Sequence, residues 1–160
     1  MITTVTLNPA IDRTVVVEKF TFGEVNRVQS VREDMGGKGI NVARILKSLG
    51  SQAKATGFIG HSNIGHVRSL LEQDGLDTDL IEIDAATRTN TKLIETASRS
   101  TTDINEAGFS VDASAIAAIE AKIDELSAQS QFIVFSGILP RGLPTDFYRQ
   151  LFGRARPPSH

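Results

Sequence analysis

Asp34-Met35-Gly36-Gly37-Lys38-Gly39-Ile40-Asn41-Val42-Ala43-Arg44 is a glycine-rich turn that carries one lysine and runs directly into a helical apolar pattern. Its three glycines allow close backbone approach to a ligand, and a helix starting at about Ile40 leaves unpaired N–H groups facing back over the turn. With the charge of Lys38 this makes an anion cradle; the competing reading is a plain turn with a solvated lysine. Two familiar glycine motifs are excluded by spacing. A P-loop requires glycine five positions before Gly37 and Ser or Thr after Lys38, where the chain has Arg32 and Gly39. A dinucleotide fingerprint takes Gly37 and Gly39 but meets Val42 where its third glycine belongs, and no clean strand is predicted ahead of the turn.

Upstream, residues 4–7 read as a strand that ends in a turn over 8–12, because Pro9 cannot donate to a ladder and restricts Asn8. Asp12 then lies just past a strand end, as an acceptor for sugar hydroxyls or as a turn-stabilising Asx residue. Residues 14–20 and 26–32 read as two partly exposed strands broken at Gly23-Glu24, of the kind that forms a small projecting sheet.

Downstream, Val42, Ile45, Leu46 and Leu49 fall at helical spacing as an inward face, with Gly50 as cap. A strand over 53–59, a helix over 64–73 capped by Gly75 and a strand over 80–83 continue the alternation of a parallel α/β layer. Two Thr-rich strands follow, 87–95 and 101–105, joined by a polar turn. Arg88, Asn90 and Lys92 alternate by two, so they share one face and either converge on a phosphate or form a solvated hairpin surface. Residues 110–129 read as a surface helix with Ile116, Ile119, Ile123 and Leu126 inward. Phe132-Ile133-Val134-Phe135 reads as a fully buried strand ending at Ser136-Gly137, and Thr145 as the N-cap of a last helix.

Of 160 residues, 40% are apolar and 22% charged, enough for one globular domain with a sizeable core. A net charge of −2 without a basic run argues against nucleic acid as partner. With no cysteine there is neither a disulfide framework nor a thiolate metal site, and the three histidines are too scattered to bind a metal with nearby carboxylates. The N-terminus lacks signal-peptide character and no apolar run is of membrane-spanning length, so the expected location is the cytoplasm with no membrane partner.

The segments 4–12, Gly36-Gly37-Lys38-Gly39-Ile40-Asn41-Val42-Ala43, Gly57-Phe58-Ile59-Gly60 and Ser136-Gly137-Ile138-Leu139-Pro140 together resemble the sugar kinases of the phosphofructokinase-B type in the ribokinase superfamily. Within it the chain is most similar to the bacterial 1-phosphofructokinases, and 87–92 with 102–105 is more like these than like tagatose-6-phosphate kinases. The resemblance implies a ribokinase-like three-layer α/β/α body with a projecting β-sheet lid from strands near 14–32 and 87–106. It implies ATP-dependent, Mg²⁺-using phosphorylation of fructose 1-phosphate to fructose 1,6-bisphosphate, in a homodimer paired through the lid strands. By the same resemblance Asp12 holds sugar hydroxyls, while Gly36, Gly37, Lys38 and Asn41 line the sugar-phosphate pocket. Arg88 binds the substrate phosphate, Asn90, Asp103 and Asn105 lie near it on the lid, and Ser136 with Gly137 borders the far side.

The resemblance spans residues 1–152, and 153–160 looks like a tail left by frameshift or truncation. The family's Gly-Ala-Gly-Asp motif, which carries the general-base aspartate and the anion hole, does not occur in the sequence. The C-terminal half of the fold is therefore expected to be absent, no catalytic residue is assigned, and the chain alone is expected to be inactive. The alternatives are a tagatose-6-phosphate kinase and a non-catalytic fragment that binds sugar phosphate or partners.

Overall fold

Strands flanked by helices on both faces form a parallel sheet, and strands with one polar face form a second, half-open sheet. The computed structural model describes residues 1–155. In chain order the elements are β1 (Ile2–Thr6), β2 (Ala10–Val17), β3 (Ser30–Gly36), α1 (Lys38–Ser48), β4 (Ala53–Gly60) and α2 (Ile64–Asp74). They continue with β5 (Asp77–Ile83), β6 (Arg88–Glu95), β7 (Ser100–Asn105), α3 (Ala113–Ser127), β8 (Phe132–Phe135) and α4 (Phe147–Arg154).

The body sheet has the order β5-β4-β1-β8 and is parallel throughout. The alternation of β4 sends Phe58 into a core with Val5, Ile119, Ile123 and Phe147, and Ile59 into one with Ile40, Val67 and Leu71. One face thus carries α3 and α4 and the other α1 and α2, which makes the α/β/α layering; full burial of each such side chain contributes about 1.5–3 kcal/mol. After β1 the chain adds β4 and β5 on one side and returns to place β8 on the other. The strand order therefore reverses between β1 and β8, and a crevice opens at their carboxyl ends.

The lid sheet has the order β3-β2-β6-β7, with antiparallel outer pairs and a parallel β2–β6 pair at its centre. Four connections join it to the body: residues 7–9, Gly37, 84–87 and 106–112. Ile11 and Met35, opposite each other on β2 and β3, turn into the α1–α2 core and dock the lid there.

Several expectations change. β2 begins at Ala10, so Asp12 lies inside a lid strand rather than past the end of β1. Pro9 interrupts pairing for only a few residues before Ala10 pairs with Gly36 and Arg88. β3 covers residues 30–36 and leads straight into the glycine turn; its polar sequence hid it because Arg32 and Asp34 on one of its faces line an open cavity. α1 starts at Lys38, and its inward stripe is Gly39, Ile40 and Ala43, whereas Ile45 and Leu49 are 60% and 74% exposed. The cause is close packing: a Cβ on Gly39 would come within 2.7 Å of the Val5 carbonyl oxygen, so the small side of the helix meets β1.

β8 is not fully buried, since it pairs with β1 alone among the described strands and Phe132 is 61% exposed. An apolar run shows affinity for a core without showing whether both edges are covered. α3 begins only after Asp112, whose carboxylate accepts the Ala115 N–H at 2.9 Å, and α4 follows Asp146 rather than Thr145. The part of the expected tail from residue 156 onward lies outside the described residues, and α4 continues through Arg154.

Candidate functional site

The register of the lid lays out two polar rungs across its four strands. Asp34, Asp12, Asn90 and Asn105 form one, and Arg32, Thr14, Lys92 and Asp103 the next. Because Ile11 and Met35 point into the core, the alternating residues of both rungs face the other way. Two cavities lie on that side. The larger, about 590 Å³, is lined by lid residues of both rungs with Arg13, Asn41, Arg44 and Asp74. The smaller, about 280 Å³, lies at the β1–β8 crevice and is lined by Thr6, Asn8, Gly37, Lys38, Arg88 and Gly137 among others. Asp12, Asn41, Asn90 and Asn105 line both, so the two are chambers of one depression.

The Asp12 carboxylate rests on Gly36: a Cβ there would stand 2.1 Å from Oδ2 and 2.5 Å from Cγ. Asn90 Nδ2 donates to Asp12 Oδ1 at 3.3 Å and holds it from the side. Gly37 has φ +125°, which side chains rarely adopt, and it aims the start of α1 at the crevice with no side-chain cap over its N–H groups. Lys38, the first residue of α1, is exposed and has no ion pair among the described residues. The Asn41 amide is oriented by Arg44, which donates to Asn41 Oδ1 at 2.7 Å and to the Met35 carbonyl at 2.6 Å and pairs with Asp74. Asn41 is therefore left with its Nδ2 donors for a ligand. The hydrogen bond to Asp74 raises the Arg44 pKa against the opposing effect of burial.

Arg88 is differently placed from an open phosphate ligand. Nε donates to Pro9 O, Nη1 to Asn90 Oδ1 and Glu106 O, and Nη2 to Asn8 O, at 2.9–3.3 Å. With four of its five N–H groups engaged, one remains. Burial lowers its pKa, partly offset by Asp12 and Glu106. Behind it, Thr6 Oγ1 and Asn8 Oδ1 are buried acceptors with no protein partner, and both residues line the small chamber.

Of the residues named from sequence, Asp12, Gly37, Lys38, Asn41, Arg88, Asn90, Asn105 and Gly137 line the small chamber, Asp103 the large one, and Gly36 underlies Asp12. Ser136 lines neither chamber: its N–H donates to Val5 O and its carbonyl accepts the Tyr148 hydroxyl at 3.3 Å. Sequence reasoning missed Thr6, Asn8, Thr14, Arg32, Asp34 and Arg44. Arg44 stands one helical turn from Asn41, and Thr14 shares strand parity with Asp12, so both were findable once the elements were placed correctly. Among the described residues no group of three His, Cys, Asp or Glu side chains could hold a metal ion, and no helix is long and apolar enough to cross a membrane.

An acceptor carboxylate among amide donors suits a polyol, and Lys38 at a helix start suits an anion. Residues 5–157 match the model described as pfkB family carbohydrate kinase. A 1-phosphofructokinase from Xanthomonas campestris pv. campestris is 41% identical over 152 residues, 95% of this chain and 48% of that protein. One from Bacillus subtilis is 36% identical over 94% of this chain and 48% of its own length. Among solved structures, phosphofructokinase-2 from Escherichia coli in complex with fructose-6-phosphate superposes with a TM-score of 0.87 at 28% identity, over 96% of this chain and 50% of that one. A possible 1-phosphofructokinase from Thermotoga maritima gives the same TM-score, identity and coverage. The chain spans about half the length of the relatives it matches.

Proposed function

Because the chain belongs to the pfkB family of carbohydrate kinases, we propose that its two-chambered depression binds fructose 1-phosphate as the acceptor of a phosphoryl group from ATP, the product being fructose 1,6-bisphosphate. The observation that carries this reading is the Asp34-Asp12-Asn90-Asn105 rung, which faces the lysine-bearing start of α1 at the strand-order reversal. Asp12, Asn41, Asn90 and Asn105 match a row of sugar hydroxyls, and the hydrogen bonds from Asn90 to Asp12, from Arg44 to Asn41 and from Arg88 to Asn90 fix which atoms remain for the ligand. Fructose 1-phosphate is favoured over tagatose 6-phosphate by the names of the relatives.

ATP supplies the phosphoryl group. The exposed Lys38 ammonium and the uncapped N–H groups of α1 fit its anionic end. Mg²⁺ would arrive with the nucleotide, since the described residues offer no cluster of ligands for it. The outer face of the lid, where Val31 and Ile104 are exposed, is the surface we assign to pairing with a second copy, and use of ATP accords with the cytoplasm.

The test is calorimetric titration of the 160-residue chain with fructose 1-phosphate, tagatose 6-phosphate and fructose. Saturable binding with fructose 1-phosphate preferred is expected, without ADP release when ATP and Mg²⁺ are added, because the sequence carries no Gly-Ala-Gly-Asp motif. Failure to bind fructose 1-phosphate, or equal binding of free fructose, would refute the reading. Preference for tagatose 6-phosphate would favour the related kinase instead.

A further inference from the structure

Four cationic side chains besides Lys38 and Arg88 border the depression, all of them in the larger chamber: Arg13, Arg32, Arg44 and Lys92. Three are committed. Arg13 lies 3.7 Å from Glu33, Arg32 lies 2.8 Å from Asp34, and Arg44 pairs with Asp74. Lys92 is exposed and has no ion pair among the described residues, even though Asp103 stands opposite it on β7. The smaller chamber repeats the pattern, with Arg88 occupied by main-chain carbonyls and Lys38 unpaired. Each chamber therefore holds one uncommitted ammonium group, and the neutral donors and the Asp12 carboxylate lie between them.

Such a layout fits a ligand with a polyol middle and an anion at each end. We propose that Lys92 binds the phosphate that the sugar already carries, in the larger chamber, while Lys38 and the start of α1 serve the end that receives the new phosphoryl group. The proposal rests on the sugar-phosphate reading above and adds a direction to it. On β6 Lys92 stands two residues beyond Asn90, about 6.6 Å along the strand, so a sugar held at the Asn90 rung places an exocyclic phosphate one rung outward. Thr14, beside Lys92 in that rung, adds a hydroxyl donor. Arg88 has one N–H left and lies one rung inward, on the side of the crevice. Lys92 is thereby a specificity-determining residue for phosphorylated against free sugar.

Calorimetric titration of the 160-residue chain and its Lys92→Met, Lys92→Arg and Lys38→Met variants with fructose 1-phosphate and with fructose tests this. Loss of a charge-assisted contact is expected to weaken fructose 1-phosphate binding at least about tenfold in Lys92→Met. Lys92→Arg should restore most of it, and Lys38→Met should change it less than threefold. Binding of fructose should be the same in the unaltered chain and in both Lys92 variants. Lys92 is exposed on the lid, so the thermal midpoint of Lys92→Met should match the unaltered chain. Unchanged fructose 1-phosphate affinity in Lys92→Met, or a tenfold loss in Lys38→Met alone, overturns the proposal while the sugar-phosphate reading stands. No binding of fructose 1-phosphate by the unaltered chain overturns both.

Discussion

Replacing Gly36 with alanine isolates the contact that holds the Asp12 carboxylate, the proposed acceptor for sugar hydroxyls. The added Cβ would stand 2.1 Å from Asp12 Oδ2, 2.5 Å from Cγ and 2.9 Å from Oδ1, so all three atoms of the carboxylate collide with it. Oδ2 must retreat by about 1.3 Å to reach ordinary contact at 3.4 Å. That displacement exceeds the tolerance of a hydrogen bond, so Asp12 loses both Asn90 and its ligand contact. A charge-assisted hydrogen bond contributes about 1.5–3 kcal/mol, which corresponds to roughly 10–150-fold in Kd for fructose 1-phosphate. Gly36 does not have the left-handed φ of Gly37, so its backbone accepts alanine and the fold should persist.

Calorimetric titration of Gly36→Ala, Asp12→Ala and the double variant gives a thermodynamic cycle. If Gly36 acts through the carboxylate, the two single variants lose similar affinity, and Gly36→Ala costs nothing further once Asp12 is alanine. Wild-type affinity in Gly36→Ala, or additive losses in the double variant, would refute the argument.

Tyr148 is the only tyrosine and there is no tryptophan, so the ultraviolet titration of the chain reports one phenol. Burial pushes its pKa up to about 12, and the folded chain should titrate near that value while the urea-unfolded chain titrates near 10; a folded midpoint near 10 would contradict the packing of α4 on the crevice. Because the folded value is the higher one, the native state retains its proton longer, so this contribution to stability is complete below pH 10 and is lost between pH 10 and about 12. For Arg88→Met, the carbonyls of Asn8, Pro9 and Glu106 lose their donor, and thermal or urea unfolding should show a loss of about 2 kcal/mol that Arg88→Lys does not restore. Unchanged stability would make Arg88 an anion ligand and nothing more.

The sequence made the parallel body legible because its strands and helices alternate with clear apolar periods, as in β4, α2 and β8. The family motifs singled out the glycine turn and Asp12, and the fold brings Gly37, Lys38, Asn41 and Asp12 to one cavity. The lid boundaries were not. Residues 30–36 lack a strand's apolar alternation because Arg32 and Asp34 face the larger chamber, and only pairing with β2 reveals the register. The face of α1 was misplaced for a related reason: apolar counting favours Ile45 and Leu49, yet contact with β1 is made by glycine and alanine, which carry little hydrophobic signal. The engagement of Arg88 by three carbonyls depends on chain segments 80 residues apart and has no local signature.

Those Arg88 contacts have a mechanical consequence. The side chain stands on the first residue of β6, directly after the connection at 84–87, and grips the carbonyls of Asn8 and Pro9 in the first connection and of Glu106 in the last. One guanidinium thus sets the spacing of three of the four strands of chain that tie lid to body. A lid held so cannot swing about that seam as a flap without stripping three carbonyls of their donor at once. Motion that admits a ligand must instead be a flexing of the far ends of β2, β3, β6 and β7, with the seam behaving as a rivet.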